Sequence, residues 1–455
     1  MARAKKEAAL TPEERLQAAL VPDWEWPYKL PKNWCWTTVG AINQYVGISA
    51  DPTKAKNKTF ELYSVPSSAD NYPEIVLGAD IGSTKQSVKK GDVLLCKINP
   101  RINRVWKVSK YTDHSLLASS EWIVIRNSGL ISNYLMWCFR SPYFRGYMLS
   151  NVSGVGGSLM RAQPKFVQGY PVPVPPLAEQ QRIVDRIESL FAKLDEAKEK
   201  AQPVVDSFEN RKASILHKAF TGELTAKWRE EHGVGMDSWE KKSVGELCIS
   251  LKYGTAKKSD ASGNVVVLRM GNLQQGEIDW SDLAYSNDPD DIEKYKLFPG
   301  DVLFNRTNSA ALVGKTAIYR GEHPAIYAGY LIKLDYDRDK IIGDYLNYAL
   351  NTLDAKKYCN SVKTDGVNQS NINAKKIGAY SFNVPSIPEQ EKIVSVIQKL
   401  LSKEQQAKEA AEAILDQIDL MKKSILARAF RGELGTNDPS EESAVELLKR
   451  GLEKK

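Results

Sequence analysis

The sequence is poor in the residues that form disulfides, bind metals or cross membranes. Its 455 residues include five cysteines, an odd number without a C-x-x-C pair, which favours reduced thiols. The four histidines do not have the spacing of metal ligands. No apolar run approaches the roughly 20 residues that span a bilayer, and the N-terminus lacks the apolar segment of a signal peptide. We therefore expect a cytoplasmic protein with no membrane partner and no bound metal.

Catalytic motifs are also missing. Gly314-Lys315-Thr316 resembles the end of a phosphate-binding loop, but Ser309 stands where that motif needs its first glycine. The residues that follow, 317–319, favour a strand where the motif requires a helix. There is no G-x-S-x-G sequence, and Asn99-Pro100-Arg101 only approaches the Asn-Pro-Pro-aromatic motif of amino-methyltransferases. The sequence predicts a binding protein that is not an enzyme and that binds no cofactor itself.

The chain does contain a tandem duplication. Residues 214–224 recur as residues 424–434 with eight of eleven identities, and the same offset of 210 relates Glu179-Gln180 to Glu389-Gln390. Because the offset stays constant, composition cannot explain it, and a repeat of about 210 residues is long enough for a globular domain with an accessory element. Between the matching segments the two copies differ. This pattern predicts a common frame that carries two different binding surfaces.

Each copy ends in a long amphipathic helix. Apolar residues at alternating spacings of three and four predict a coiled-coil seam in each helix, interrupted only by Arg211 in the first and Glu404 in the second. The first seam comprises Ile183, Ile187, Leu190, Leu194, Ala197, Ala201, Val204, Phe208 and Ile215. The second comprises Ile393, Ile397, Leu400, Ala407, Ala411, Ile414, Ile418, Met421 and Ile425. Two arrangements are open: the helices pack antiparallel on each other, or each packs on its own domain. The retention of both seams favours the first.

Local signals mark the ends of these helices. Ser386-Ile387-Pro388-Glu389 predicts a capping box with proline in the first turn, and two prolines precede the other helix. Gly222 and Gly432 are placed to end the helices in the left-handed conformation. Each helix is expected to cover about 40 residues, or roughly 60 Å. Pro203 is expected to kink the first one.

The diverged segments predict two mixed α/β domains. Short apolar runs predict strands at 93–95, 122–125, 265–268, 302–304 and 330–334, and helices are expected at 134–147 and 345–358. The predicted fold class is therefore α+β, with two globular domains joined by two long antiparallel coiled-coil helices in pseudo-twofold symmetry. The predicted segments are an N-terminal extension with a short helix (1–30), a first domain (31–176), a central helical region (177–234), a second domain (235–385), a distal helical region (386–434) and a tail with a short helix near Ser440 (435–455).

Positive charge is concentrated in the first domain. From Lys85 to Lys110 there are eight basic residues and one acid. Arg and Lys can donate to guanine or phosphate and Asn can pair with adenine, so polar loops at strand ends suit reading of double-stranded DNA. For any single residue, a solvated surface loop is the commoner explanation. The candidate DNA-binding residues are Lys97, Asn99, Arg101, Asn103, Arg104, Lys107, Arg161, Lys252, Tyr253, Arg269, Asn272, Arg306, Asn308, Asn368 and Gln369.

The order of domain, helix, domain, helix closely resembles the specificity subunit of type I restriction-modification systems. The resemblance rests on Pro-Leu-Ala-Glu-Gln-Gln at 176–181, Pro-Glu-Gln-Glu at 388–391, Gly-Glu-Leu-Thr-Ala-Lys-Trp at 222–228 and the repeated segment at 424–434. It covers nearly the whole chain from Pro31 to Leu434. It implies that each variable domain is a target recognition domain that reads one half of a bipartite DNA sequence.

The resemblance also implies partners. In this family the helices set the gap between the half-sites and bind two modification subunits, which carry S-adenosylmethionine and methylate adenine. We expect S-adenosylmethionine, ATP and Mg²⁺ on partner subunits, and the sequence leaves open whether two restriction subunits join. The residues expected to pack the helices or contact partners are Ile187, Leu194, Phe208, Ile215, Phe220, Ile397, Ile418, Ile425 and Phe430. The terminal extensions are expected to contact the modification subunits or to close the domains and helices of this chain into a circular arrangement.

Two other classes of protein remain as alternatives. A coiled-coil scaffold whose globular domains bind proteins would keep both seams without reading DNA. A stand-alone nuclease or methyltransferase would need a catalytic motif that the sequence does not show. Methyl transfer by the purified chain would establish the enzyme, whereas indifference of DNA affinity to changes at Arg306 and Asn308 would favour the scaffold.

Overall fold

The computed structural model of the protein describes residues 11–127, 129–154, 160–367 and 369–453. The chain forms two compact units. The first unit is built from residues up to Lys200 together with those from Ile414 onward, and the second is Ala201–Ala413. Each unit therefore takes one part of both long helices. Within the described residues, no helix is long and apolar enough to cross a membrane.

The helices lie close to the predicted positions. In chain order they are α1 (Pro12–Ala19), α2 (Val39–Ile42), α3 (Ser132–Arg140), α4 (Pro142–Ser150), α5 (Pro164–Val167), α6 (Leu177–Asp206), α7 (Phe208–Phe220), α8 (Ala226–His232), α9 (Val244–Leu247), α10 (Pro289–Tyr295), α11 (Gly343–Leu350), α12 (Leu353–Val362), α13 (Ala374–Gly378), α14 (Ile387–Ala429) and α15 (Ala444–Glu453). The helices expected at 134–147 and 345–358 are each a pair of shorter helices.

The strands are short. They are β1 (Cys35–Thr38), β2 (Ser49–Ala50), β3 (Thr59–Tyr63), β4 (Glu74–Leu77), β5 (Lys85–Ser87), β6 (Val93–Cys96), β7 (Val105–Lys107), β8 (Ser115–Ala118), β9 (Trp122–Ile125), β10 (Val152–Ser153), β11 (Arg161–Ala162), β12 (Pro171–Val174), β13 (Glu240–Ser243), β14 (Cys248–Tyr253), β15 (Val265–Leu268), β16 (Leu273–Gln274), β17 (Glu277–Ile278), β18 (Tyr285–Ser286), β19 (Val302–Asn305), β20 (Thr307–Asn308), β21 (Thr316–Ile318), β22 (Ala325–Tyr327), β23 (Leu331–Tyr336), β24 (Thr364–Asp365), β25 (Ser370–Asn371) and β26 (Ser381–Val384). All five predicted strands are present.

The first unit contains a five-stranded sheet in the order β2-β5-β8-β3-β4, a three-stranded sheet β7-β6-β9, and the pairs β1-β12 and β10-β11. Strands β3 and β8 are parallel, whereas β6 pairs antiparallel with both neighbours. The largest core lies beneath α3 and α4. It includes Ile183 and Ile187 from the start of α6 and Leu426 and Phe430 from the end of α14 and just beyond.

The second unit has matching parts. Strand β19 pairs antiparallel with β23, as β6 does with β9, and β13 pairs with β26, as β1 does with β12. A parallel pair, β15 and β22, again lies in a separate sheet. The main core combines Leu216 and Ala219 of α7 with Ile393 and Ile397 of α14. The prediction of an α+β fold is confirmed, and strand β21 stands where the phosphate-loop motif would need a helix.

Within each unit the two long helices run antiparallel. In the first, Lys422 of α14 forms an ion pair with Asp195 of α6, and its ammonium lies 5.1 Å from the ring centroid of Phe191. In the second, the ammonium of Lys408 lies 4.9 Å from the ring centroid of Phe208, and Arg211 pairs with Glu404. As residue numbers increase along one helix, the residues that it contacts on the other helix have decreasing numbers, which defines the antiparallel arrangement.

Part of the second predicted seam is wrong. Ile414 and Met421 are 46% and 49% exposed, and Ala407 is exposed as well. The face that turns inward in the middle of α14 carries Lys408 and Lys422 instead, with Ala411 and Ile418 buried between them. Helix α14 has apolar residues on two faces, so the three-four spacing could be followed along either. The first seam is confirmed, with Ile187 and Phe208 buried and Leu194 half-buried.

The helix ends show one further correction. Gly222 and Gly432 adopt positive φ of 81° and 74°, as predicted for left-handed caps. Pro203 interrupts the first helix at Ser207, whose amide donates to the Pro203 carbonyl at 3.1 Å. The capping box expected at Ser386 is wrong, because the carboxylate oxygens of Glu389 accept from other groups.

Candidate nucleic-acid interface

The first unit presents a rigid loop after strand β6. Asn99 and Asn103 both have positive φ, 44° and 54°, and flank a 3-10 turn at Pro100–Ile102. The Asn99 amide donates to the Met160 carbonyl at 2.8 Å, which ties the loop to the segment that leads into β11. Asn103 donates its side-chain amide to the Arg140 carbonyl at 3.1 Å. Asparagine is one of the few non-glycine residues that tolerate this conformation, so these two residues shape the loop.

Some basic side chains in and near this loop are exposed to solvent, and others are held by a hydrogen bond or an ion pair. Arg101 is exposed at its tip, whereas Arg104 and Lys107 are half-buried along the edge of β7. Lys97 donates to the Ser120 carbonyl at 2.7 Å. Arg161, which is exposed on β11, forms an ion pair of 3.1 Å with Glu121.

In the second unit the equivalent loop follows strand β19. The guanidinium of Arg306 lies 4.8 Å from the ring centroid of Tyr253 and donates to the Gly329 carbonyl at 3.2 Å. The Tyr253 hydroxyl in turn accepts from the Ala374 amide at 3.0 Å. A guanidinium stacked on an aromatic ring is pre-oriented for bidentate contacts. The structure therefore brings two predicted residues, Arg306 and Tyr253, together.

A small three-stranded sheet, β20-β25-β24, carries the next candidates. Asn308 pairs in register with Ser370, and its side chain accepts from the Ser309 amide at 2.8 Å. Gln369 is exposed at the turn, where its carbonyl accepts from the Gly366 amide. Asn368 lies outside the described residues. Asn308 and Gln369 are thus neighbours of Arg306 across one short sheet.

Three candidates lie elsewhere in the second unit. Asn272 is buried, and its side-chain amide donates to the carbonyls of Asp279 and Asp282 at 2.9 and 2.8 Å. The structure gives it a role in shaping that loop, so a base contact by Asn272 is not supported. Arg269 pairs with Asp282 at 3.0 Å, and the exposed Lys252 pairs with Asp335 at 3.1 Å.

The two loops are equivalent positions of the duplication. Ile98 forms a β-bridge with Arg161, and Thr307 pairs with Asn371 at the same place in the second unit. The residue before each of these is basic, Lys97 in the first unit and Arg306 in the second. The facing position holds arginine in one copy and asparagine in the other. The backbone frame is repeated while the hydrogen-bonding groups differ.

Two residues near these loops are not among the candidates from the sequence. They are Asn371, beside Arg306, and Glu121, beside Lys97 and Arg161. Asn371 accepts from Arg306 at 3.4 Å and donates to the Thr307 hydroxyl at 2.8 Å, so it links two strands of the patch. Its offset of 210 from Arg161 was the available signal. Glu121 restrains both Lys97 and Arg161, which no local pattern could indicate.

At the start of each long helix, a buried glutamine makes the same pair of hydrogen bonds. The side chain of Gln180 accepts from the Ile131 amide at 2.9 Å and donates to the Pro175 carbonyl at 3.0 Å. Gln390 does the same with the Ile342 amide and the Pro385 carbonyl, both at 2.9 Å. Both glutamines are fully buried. These residues were conspicuous as repeats, and the structure shows that they fix each domain to its helix.

The neighbouring glutamates are also buried but have different partners. In the second unit, Thr225 and Arg229 donate to Glu389 at 2.7 Å each, and Trp239 donates at 2.9 Å. In the first unit, Thr436 donates to Glu179 at 2.6 Å, and Arg182 lies 2.9 Å away. Burial raises the pKa of Glu179, against the lowering effect of its hydrogen bonds to Thr436 and Arg182.

The repeated helix ends pack against equivalent helices. Phe430 lies 5.3 Å from Tyr134 between ring centroids, and Phe220 lies 4.9 Å from Tyr345. Tyr134 donates to the Pro173 carbonyl and Tyr345 to that of Asn383, both at 2.8 Å. Ile425 and Ile215 are half-buried at these ends. The end of each long helix is therefore part of a domain core.

The terminal extensions pack on each other in the first unit. Helix α1 begins with a capping box at Thr11, and α15 starts at Ala444, four residues beyond the expected position. Lys449 of α15 lies 3.7 Å from Glu13 of α1, and the Ala444 amide donates to the Asn33 carbonyl at 2.9 Å. Helices α1 and α15 thus contact each other, and α15 contacts the first domain at Asn33.

Comparison with known proteins agrees with this architecture. Residues 236–413 match the family model described as the type I restriction modification DNA specificity domain. The StySPI specificity subunit of Salmonella potsdam is 27% identical over 306 residues, which are 66% of this chain and 65% of the relative, slightly under two thirds of its length. The EcoKI specificity subunit of Escherichia coli K12 is 27% identical over 321 residues, 68% of each chain.

Solved structures share the fold. A chain from a structure titled for complex assembly and conformational transition of the type I R-M system has a TM-score of 0.73 at 22% identity, covering 90% of this chain and 100% of that one. The HsdS subunit from Thermoanaerobacter tengcongensis has a TM-score of 0.59 with the same identity and coverage. The second unit thus matches a DNA specificity domain, and the chain as a whole shares the fold of these solved structures. The chain is similar to type I restriction-modification specificity subunits in sequence and in fold.

Proposed function

We propose that the chain is the sequence-specific DNA-binding subunit of a type I restriction-modification complex, in which each unit reads one half of a bipartite, gapped target. The observation that carries this proposal is the repeated loop with exchanged side chains: Lys97 and Arg161 in the first unit, Arg306 and Asn371 in the second. A common backbone frame with different hydrogen-bonding groups suits two readers of different sequences. The family match to a DNA specificity domain supports it.

The chemistry of each patch suits base edges. Arginine can donate to both acceptors of guanine, and asparagine can pair with adenine. Arg306 is held by Tyr253 and Gly329, which reduces the entropy lost when it binds a base. Exposed basic residues of the first unit, such as Arg101 and Lys110, supply contacts to phosphate, and these give a salt-dependent affinity without sequence preference.

The partners in this proposal are two modification subunits, docked on the long helices. Helix α14 leaves Ile414, Leu420 and Met421 exposed, and Leu420 is 63% exposed. Apolar residues of this size on one helix mark a surface for another protein. Catalysis, S-adenosylmethionine, ATP and Mg²⁺ belong to partner subunits, and this chain supplies specificity alone. The helices set the gap between half-sites.

Co-expression with the modification subunits tests the proposal. The adenines methylated in a host without other adenine methylation are mapped by long-read sequencing, first for the natural chain and then for a chain whose residues 235–385 come from another family member. One half of the methylated motif should change and the other should stay. A change in both halves would contradict the one-unit, one-half-site arrangement.

Purified chain without partners provides the control for catalysis. Incubated with DNA and S-adenosylmethionine, it should transfer no methyl group, and transfer would establish the enzyme alternative. Two results together would show that the chain is a protein-binding scaffold. Replacement of Arg306 and Asn308 would leave the methylated motif and the DNA affinity unchanged, and a charged residue in place of Ile418 would abolish methylation.

A further inference from the structure

A groove of about 590 Å³ lies in the second unit between α7, the start of α12 and strand β26. Its floor is aromatic, formed by Phe220, Tyr380 and Phe382, and its rim includes Lys241 and Asp354. Apolar concave sites of this size, with a few polar groups at the edge, are typical binding sites. The groove is separate from the patch around Arg306, since they share no residue.

The equivalent place in the first unit is filled by Tyr28 of the N-terminal extension. The ring centroid of Tyr28 lies 4.9 Å from that of Trp36 and 5.2 Å from that of Tyr143. Its hydroxyl donates to the Phe430 carbonyl at 2.9 Å, and the guanidinium of Arg431 lies 5.5 Å from its ring centroid. The first unit thus closes this place with an aromatic side chain of its own chain.

The strand register shows that the two places correspond. Trp36 pairs with Pro173 in the sheet β1-β12, and Lys241 pairs with Asn383 at the matching position of β13-β26. The offset of 210 that relates Pro173 to Asn383 also relates Phe430 to Phe220. Asn383 and Phe220, which line one side of the groove, therefore correspond to Pro173 and Phe430 in the first unit.

The helices give the other wall. Ser141 caps α4 and Thr352 caps α12, each by accepting from the amide three residues on. Counted from these caps, Tyr143 corresponds to Asp354. Where the first unit has the bulky Trp36 and Tyr143, the second has shorter or flexible charged side chains, and the groove stays open.

Among the described residues of the second unit, none occupies the place that Tyr28 holds in the first. The segment before Trp239 instead forms helix α8, which is capped by Gly233, and Met236 beyond it is 45% exposed. Arg229 of α8 is committed to Glu389. The chain therefore leaves an aromatic-sized place open in one copy of a frame that it fills in the other.

We propose that this groove binds an extended segment of a partner protein that inserts an aromatic side chain beside an acidic residue. The aromatic ring takes the position that Tyr28 holds in the first unit. The acid is favoured because Lys241 and Lys357 line the groove together with His217, against Asp354 alone. In the segment that fills the first unit, residues 22–30, the acids Asp23 and Glu25 precede Tyr28 by five and three residues. The inference does not depend on DNA reading.

A labelled synthetic peptide of residues 22–30 is the probe, titrated against the full chain by fluorescence anisotropy. Saturable binding is expected. It should weaken at least about tenfold in the double variant Lys241→Glu and Lys357→Glu, which reverses the charge that the acidic residue of the peptide would meet. The peptide carrying Tyr28→Ala should lose affinity to the same extent on the natural protein, so the test does not depend on the folding of a variant. Lys294→Ala, an exposed change outside the groove, is the matched control.

Three results would overturn the inference. They are the absence of saturable binding, equal binding to the double variant, and equal binding of the Tyr28→Ala peptide. Displacement of the peptide by excess double-stranded DNA would assign the groove to nucleic acid and would also overturn it. Because the direct titration contains no DNA and no methyltransferase, and DNA is added only in the displacement step, the binding result is independent of the proposed function.

Discussion

Arg211 and Glu404, the only residues that interrupt the two apolar seams in the sequence, form an ion pair with each other in the second unit. The guanidinium also donates to the Val204 carbonyl at 2.9 Å and to the Ser207 hydroxyl. It therefore binds the residues at which the first helix is interrupted after Pro203. Two apparent defects of separate repeats are one interaction between two helices.

Replacing one partner of this pair should destabilise the second unit more than replacing both. Glu404→Leu leaves the half-buried Arg211 unpaired, and a cost of about 1.5–3 kcal/mol is expected for a lost hydrogen bond to a charged group. The double change Arg211→Leu and Glu404→Leu should return to within about 1 kcal/mol of the natural chain, because apolar residues can replace a seam ion pair. Urea unfolding measures both. Additive losses would show that the pair is not coupled.

The two buried glutamates should differ in cost. Glu389→Ala leaves Arg229, whose side chain is 9% exposed, without its carboxylate, and about 3–5 kcal/mol is expected for an unpaired buried charge. Glu179→Ala should cost less, since Arg182 is partly exposed and keeps Glu441 as a partner at 2.8 Å. Urea unfolding with hydrogen exchange of peptides from each unit separates the two effects. Equal losses would contradict this difference.

Lys97 and Arg306 should affect different halves of the target. Arg306→Ala is expected to cost about 1–3 kcal/mol at one half-site and to relax its sequence, and Lys97→Ala should do so at the other. Lys110→Ala, an exposed change in the same basic window as Lys97, should lower affinity evenly and reduce the salt slope by about one. Binding to oligonucleotides altered in either half, at two salt concentrations, measures this. Effects of both changes on the same half would refute the assignment.

A helical turn inserted after Ala407 should change the gap between half-sites. Four residues lengthen a helix by about 6 Å, close to two base-pair steps of about 3.4 Å. Methylation mapping should show a longer gap or no methylation at all. The same four residues inserted at the exposed turn between Asn71 and Tyr72 should leave the gap unchanged. An unchanged gap after the helix insertion would remove the spacer role.

Much of the frame could be predicted because its signals are local. The glycine caps at Gly222 and Gly432, the interruption after Pro203 and the strand at Val302–Asn305 depend on backbone freedom or on a few neighbouring residues. The hydrogen-bond partners of the candidate DNA-binding residues could not be predicted, because they lie elsewhere in the chain. Asparagine is a residue type that can pair with a base, but the side-chain amide of Asn272 donates to the carbonyls of Asp279 and Asp282. Asn371 has an offset of 210 from Arg161 in the sequence, but its position beside Arg306 depends on the pairing of β25 with β20.

The sequence by itself determined that the chain is duplicated, where its helices lie and which family it resembles, since each of these depends on residues in a fixed order along the chain. The tertiary structure decided which face of α14 turns inward, what the buried glutamates bind, and that Tyr28 fills in one unit a place left open in the other. Such choices depend on contacts between residues far apart in the chain, and identical local patterns can satisfy them in more than one way.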